Sequence, residues 1–159
     1  MDLYLLRHAI AAERSSDGSD AMRALTPDGI EKMRSGARGM QRLGIRLDRL
    51  LTSPLVRARE TAAIVGAALE VAPETSGALA PGCTVDTLLG LLAQMPRAGS
   101  VMVVGHEPDL SSMIADLTGG SRVVMKKGGL ALVDLPSLDA GAGSLDWLLT
   151  PRVLRMLGK

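Results

Sequence analysis

The chain of 159 residues has no phenylalanine, one tyrosine, one tryptophan and one cysteine. A lone cysteine, Cys83, excludes an intrachain disulfide and a multi-cysteine metal site, in keeping with a reducing compartment. With Tyr4 and Trp147 as the only aromatics, there is no platform on which single-stranded nucleic acid would stack. Basic and acidic residues number 18 and 17 and are interspersed, so no basic block invites nucleic acid either. No uninterrupted apolar run approaches the ~18 residues of a membrane helix. The opening Met1-Asp2-Leu3-Tyr4 lacks the basic flank of a signal peptide. These absences lead us to expect a cytoplasmic protein with neither a nucleic-acid nor a membrane partner.

What is present is an aliphatic core with nine methionines as flexible filler. A chain of this length buries roughly two thirds of its unfolded surface and needs no staples. Residues 1–159 are therefore expected to form a single domain.

Leu3 to Leu6 is a continuous apolar run and reads as a strand covered on both faces. A polar loop follows, from about Glu13 to Ala24. Thr26-Pro27-Asp28 supplies an N-cap, a first-turn proline and an early acid for a helix carrying Ile30, Met33, Ala37 and Met40. Gly44 is its expected stop. Leu47 to Leu51 reads as a second strand, and Ser53-Pro54 as the opening of a helix with Ala58, Ala62, Val65 and Leu69 on one face. Leu69 to Ala72 is expected to be a brief edge strand. Thr84 caps a helix with Leu88, Leu89, Leu92 and Met95, ended by Pro96. Val101 to Val104 is the clearest buried strand, and Pro108 begins a helix stopped by Gly119-Gly120. Leu130 to Leu135 and Leu145 to Leu149 form a late hairpin across the turn Asp139 to Ser144, and Arg152 to Leu157 a short final helix or tail. Strands alternating with helices favour parallel pairing. The expected fold is α/β: a three-layer sandwich with a mostly parallel central sheet, helices on both faces and an antiparallel strand near the C-terminus.

The chemistry lies where two of these strands stop. Leu3-Tyr4-Leu5-Leu6 ends in Arg7-His8, and Val101-Met102-Val103-Val104 ends in Gly105-His106. These are the only two histidines of the chain. A lone histidine is more often structural, but Arg7 and His8 together do not belong inside a parallel sheet unless paired. Both imidazoles are thus expected at the carboxyl edge of the sheet, where open α/β proteins bind ligands. Glu107-Pro108-Asp109 begins a helix, whose first amides would face that edge and suit an anion. Arg57, early in the helix after Ser53-Pro54, can reach over the same edge and grip phosphate oxygens in bidentate fashion. Arg59 points about 200° away around the helix and is read as a surface residue.

Two imidazoles and two guanidiniums around one pocket suit phosphoryl transfer. A neutral His8 would attack phosphorus to give phosphohistidine. Arg7, Arg57 and His106 would hold the equatorial oxygens. Arginines take the part of a metal here, so no metal or other cofactor is expected.

These residues resemble a known family. Arg7-His8-Ala9 is similar to the Arg-His-Gly signature of the histidine phosphatase (phosphoglycerate mutase-like) superfamily. Ser53-Pro54-x-x-Arg57-Ala58-x-x-Thr61-Ala62 resembles its second motif and Gly105-His106-x-Pro108 its third. The order and spacing agree over almost the whole chain. The compact length and Lys127-Gly128-Gly129-Leu130-Ala131 resemble the short SixA-like branch of phosphohistidine phosphatases. The resemblance implies that His8 is the nucleophile, that Arg7 and Arg57 bind phosphate, and that His106 is the second histidine of the pocket.

Three positions depart from the family pattern. Ala9 replaces Gly, Ile10 stands where acidic or polar residues are frequent, and Glu107 where Asn is common. No residue matches the glutamate that donates a proton in mutases and many phosphoesterases. Glu13, Asp17 and Asp20, in the loop after His8, are candidate donors, although a solvated polar loop accounts for each as well. Expelling an alkoxide requires such a donor, whereas imidazole, with its own pKa of about 6.5, leaves far more easily. The expected substrate is therefore a phosphorylated protein, such as a histidine phosphotransfer domain. A small phosphorylated metabolite or nucleotide is the alternative. A phosphoprotein-binding module without activity is the third reading, but it would have no need of the nucleophile.

Overall fold

The computed structural model describes residues 1–120 and 122–159. The elements, in chain order, are β1 (Asp2–Arg7), α1 (Pro27–Arg42), β2 (Arg49–Thr52), α2 (Val56–Leu69), β3 (Pro73–Thr75), a 3-10 turn (Gly77–Leu79), α3 (Val85–Leu92), β4 (Ser100–Gly105), α4 (Asp109–Leu117), β5 (Leu130–Asp134), β6 (Ser144–Leu149) and α5 (Pro151–Leu157).

The strands form one sheet in the order β3-β2-β4-β1-β5-β6. β3, β2, β4 and β1 are mutually parallel, and β5 alone runs against the rest, since it is antiparallel to both β1 and β6. The α/β sandwich expected from the sequence, with its late antiparallel strand, is what the chain adopts. Strand periodicity sorts the side chains into two cores. Tyr4, Leu6, Leu50, Met102, Val104 and Leu130 pack with α1, α2 and α5 on one face. Leu3, Leu5, Leu51, Val101, Val103 and Val133 pack with α3 and α4 on the other. The only two aromatic rings besides the imidazoles, Tyr4 and Trp147, meet at a centroid distance of 5.9 Å. Among the described residues no helix is long and apolar enough to cross a membrane.

Several boundaries move relative to the sequence reading. α2 begins at Val56 rather than at Ser53-Pro54, because the Ser53 hydroxyl is engaged with His106 instead of capping a helix. The edge strand is Pro73–Thr75, not Leu69 to Ala72. Leu69 closes α2, and Glu70 turns left-handed at φ 57 with its N–H on Gly66 O. α3 stops at Leu92, three residues before Met95, with the Ala93 N–H on Leu89 O. The Thr26 cap is as read: its hydroxyl accepts the Gly29 N–H, with Pro27 opening the helix. Gly44 follows the helix end at φ +74, a conformation that suits glycine.

α1 and the end of α5 approach so closely that two glycines set their spacing, Gly39 and Gly158, the latter with Ser35 O 1.9 Å from where its Cβ would stand. A Cβ on Gly39 would lie 2.0 Å from Leu154 O, which is backbone and cannot swing aside. Gly39→Ala gains helix propensity but must separate the helices. We expect a net loss of about 3 kcal/mol, read as a lower urea midpoint. A more stable variant would refute this packing.

Candidate active site

The sheet register assembles the site. β2, β4 and β1 are neighbours, with Arg7 opposite Gly105 and Thr52 opposite Val104. The ladder runs one residue past the strand ends: the His8 N–H donates to Gly105 O at 3.1 Å and the Ser53 N–H to Val104 O at 3.0 Å. Ser53, His106 and His8 therefore stand side by side. The chain leaves β1 towards one face of the sheet and β4 towards the other, so the two histidines flank a switch point. Their ring centroids are 5.2 Å apart and tilted by 52°.

His8 is 6% exposed. Its Nδ1 lies 2.7 Å from Ala9 O. A carbonyl oxygen can only accept, so Nδ1 carries the proton and Nε2 keeps its lone pair. That lone pair receives the Arg57 Nε–H at 3.3 Å. His106 places Nε2 at 2.7 Å from Ser53 Oγ, which also accepts the Leu55 N–H. Its Nδ1 is buried without a partner. Burial pushes the His8 ring down to about 3, aided by the charges of His106, Arg57 and Arg7 and opposed by the Ala9 hydrogen bond. Burial, then Arg57, lowers His106 to about 4, against the pull of Asp109 and Asp20. Both rings are neutral near pH 7, the state in which an imidazole is a nucleophile.

Arg57 sits in the first turn of α2 and is buried. Its outer edge is taken by one residue: Nη1 donates to Asp20 O at 2.8 Å and Nη2 to Asp20 Oδ2 at 3.0 Å. One turn on, Thr61 Oγ1 accepts the Ala9 N–H at 3.0 Å and donates to Arg57 O at 2.7 Å. This hydroxyl ties the segment after His8 to the helix that carries Arg57. Arg7 donates from Nη1 to Met125 O at 2.7 Å, and its Nε is buried and unpartnered. The structure thus brings Arg7, His8, Arg57 and His106 into one place. Arg59 is exposed, as read from its helical angle.

The acids are less convergent. The Asp20 carboxylate bridges Arg23, at 2.7 Å, and Arg57, and these hydrogen bonds hold its carboxyl below the usual range. Asp17 is occupied within its own loop by Ser15 and the Ser19 N–H, which likewise lower it. Glu13 is exposed. Glu107 accepts the Ser111 hydroxyl on Oε2 and buries Oε1 without a partner. The first amides of α4 are less free than expected, since the Leu110 N–H closes on His106 O. The groups left at this edge that could meet an anion are the guanidiniums and imidazoles. Sequence reasoning missed Ser53 as the partner of His106 and Met125 as the anchor of Arg7. The first had a signal, since Ser53 opens a matched motif; the second is a backbone contact with no residue signature.

Residues 3–80 match the histidine phosphatase superfamily (branch 1). An uncharacterised protein of Picosynechococcus sp. is 38% identical over 136 residues, covering 82% of each chain. The phosphohistidine phosphatase SixA of Escherichia coli is 30% identical over 165 residues, covering 98% of each. A solved structure of the protein histidine phosphatase SixA complexed with tungstate superposes with a TM-score of 0.86 at 28% identity, over 97% of this chain and 99% of that one.

Two buried neutral histidines have a thermodynamic signature. Both titrate lower in the folded state than the free value of about 6.5, so below that pH the unfolded chain binds more protons. Stability should fall as the pH drops from about 6.5 towards 4, by up to about 1.4 kcal/mol per pH unit for each ring. Urea titrations across this range should give a shallower slope for His8→Gln than for the wild type. Equal slopes would mean that His8 is not held neutral by the fold.

Proposed function

The chain belongs to the histidine phosphatase superfamily, whose phosphatase activity it shares, and on that basis we propose that it is a phosphohistidine phosphatase. In this reading His8 Nε2 attacks phosphorus in line. The Nε2–P bond forms as the P–N bond to the substrate imidazole breaks. The leaving imidazole departs with the bonding pair and takes up a proton from solvent. Arg7, Arg57 and His106 hold the equatorial oxygens as charge shifts among them. Water then attacks the phosphohistidine, the Nε2–P bond breaks and inorganic phosphate leaves, with the proton passing to solvent.

The observation that carries the proposal is the tautomer of His8. Ala9 O keeps the proton on Nδ1, so the lone pair on Nε2 faces Arg57, where a phosphoryl group would be drawn. The Nδ1–H bond survives phosphorylation of Nε2, so the ring need not turn between the two steps. The choice of a phosphohistidine substrate is supported by the state of Asp20. Among the described residues the one carboxylate that touches Arg57 is Asp20, ionised and shared by two guanidiniums, which makes it a poor proton donor for an alkoxide. Imidazole needs less help to leave. A phosphorylated protein, such as a histidine phosphotransfer domain, fits this chemistry.

A second reading rests on Glu107. It follows His106 and has a buried, unpartnered oxygen. In this reading its carboxyl is the proton donor of a phosphomonoesterase acting on a small metabolite or nucleotide.

We expect His8→Ala to abolish turnover and Arg57→Ala to slow it by about 10² to 10³, as for a lost oxyanion donor. Substantial activity in the His8→Ala protein would end the covalent mechanism. Since guanidiniums supply the charge, a chelator should leave the rate unchanged. Rates on a phosphohistidine protein and on a panel of phosphomonoesters decide between the two readings. Faster ester cleavage, lost in Glu107→Gln, would establish the second.

A further inference from the structure

We propose that the rim of the His8 pocket is a docking collar for a folded protein whose phosphohistidine is surrounded by acidic and apolar residues, an inference that rests on the phosphohistidine reading above. Both phosphate-binding arginines are anchored by backbone carbonyls of surface loops. Asp20 O holds Arg57 at 2.8 Å and Met125 O holds Arg7 at 2.7 Å. Each loop shows a large apolar side chain within two residues of its anchor: Met22 is 53% exposed and Val124 73%. Single exposed apolar residues are ordinary on a protein surface. Here the two belong to the two loops that grip the two arginines, on separate segments of the chain, and the other large exposed apolar residues lie at the end of α1 or on α5.

The charge around Val124 has one sign, whereas Met22 has the Asp20–Arg23 pair beside it. Arg122, Lys126 and Lys127 are exposed, and no acidic residue occurs between Arg122 and Val133. Lys126 and Lys127 form no ion pair among the described residues. The segment is fastened to the nucleophile, since the Gly128 N–H reaches Arg7 O at 3.1 Å and His8 O at 3.2 Å. Lys127 also borders a cavity of about 200 Å³ that begins at Ala9 and Ile10, next to His8, and continues past Met33 to Arg155. A phosphoryl group on a small leaving group would fill the pocket without touching this rim. A protein leaving group would meet Met22 on one side and Val124 with its lysines on the other, which favours a partner with acidic side chains around an apolar contact.

The test uses two substrates. One is a histidine phosphotransfer domain phosphorylated with phosphoramidate; the other is phosphoramidate itself. For Met22→Asp/Val124→Asp, kcat/KM on the phosphoprotein should fall about tenfold or more through KM. Turnover of phosphoramidate should stay within about twofold, which also reports an intact fold. Lys126→Glu/Lys127→Glu should raise the phosphoprotein KM at low salt and lose most of that effect at high salt. Unchanged kinetics on the phosphoprotein in both variants would overturn the collar, as would an equal fall on both substrates. A wild-type enzyme that cleaves phosphoramidate or esters but not the phosphoprotein would instead overturn the phosphohistidine reading, and the collar with it.

Discussion

The parallel pairing of β1 with β4 is the constraint on which the site depends. Its register sets Arg7 against Gly105, so each histidine begins where the ladder ends. A shift of one residue would turn His106 to the opposite face and separate the rings. That register is fixed by what lies below it. Leu3, Leu5, Val101 and Val103 fill one core while Tyr4, Leu6, Met102 and Val104 fill the other. With both faces buried, a slip would exchange two packed layers at once. The hydrophobic cores thus act on the chemistry through geometry: they hold two imidazoles 5.2 Å apart without either contributing to stability as a charge.

Electrostatics then set the protonation states. Burial, with two guanidiniums beside the rings, keeps both imidazoles neutral. The same arrangement leaves excess positive charge at the mouth, and Asp20 answers part of it. Because Asp20 occupies the outer edge of Arg57, the Nε side of the guanidinium is presented to His8. The carboxylate therefore orients the arginine while reducing its charge. In the proposed reaction a weaker grip on phosphate would be no handicap, since binding substrate and product tightly does nothing for the chemical step.

The sequence was most legible where local pattern and tertiary position coincide. The apolar runs ending at His8 and His106 are strands because buried parallel strands have no alternation to lose, and the polar residue that ends each run marks the sheet edge. Thr26-Pro27 and Gly44 marked their helix ends because capping is local. The departures arose where a distant partner competes for a local signal. Ser53 reads as a helix opener, but its hydroxyl is drawn to a histidine 53 residues away. β3 is exposed and short, held by β2 and the Arg49–Glu74 pair, none of which leaves an apolar signature. The anchors of the arginines, Asp20 O and Met125 O, are backbone atoms of loops and carry no residue code at all.

Those loops have a constraint of their own. A guanidinium at a sheet edge is long and flexible, and it costs roughly 2 kcal/mol of side-chain freedom to hold one still. Most helix and strand carbonyls are already bonded within the turn or the ladder, and here the hold comes from the loop carbonyls Asp20 O and Met125 O. Loops 13–24 and 122–128 thus come to the site to order Arg57 and Arg7. Loops brought to a site for that reason also become its outer wall. The backbone groups that hold Arg57 and Arg7 and the surface proposed to meet a protein substrate are consequently parts of the same two segments, and a change in one bears on the other.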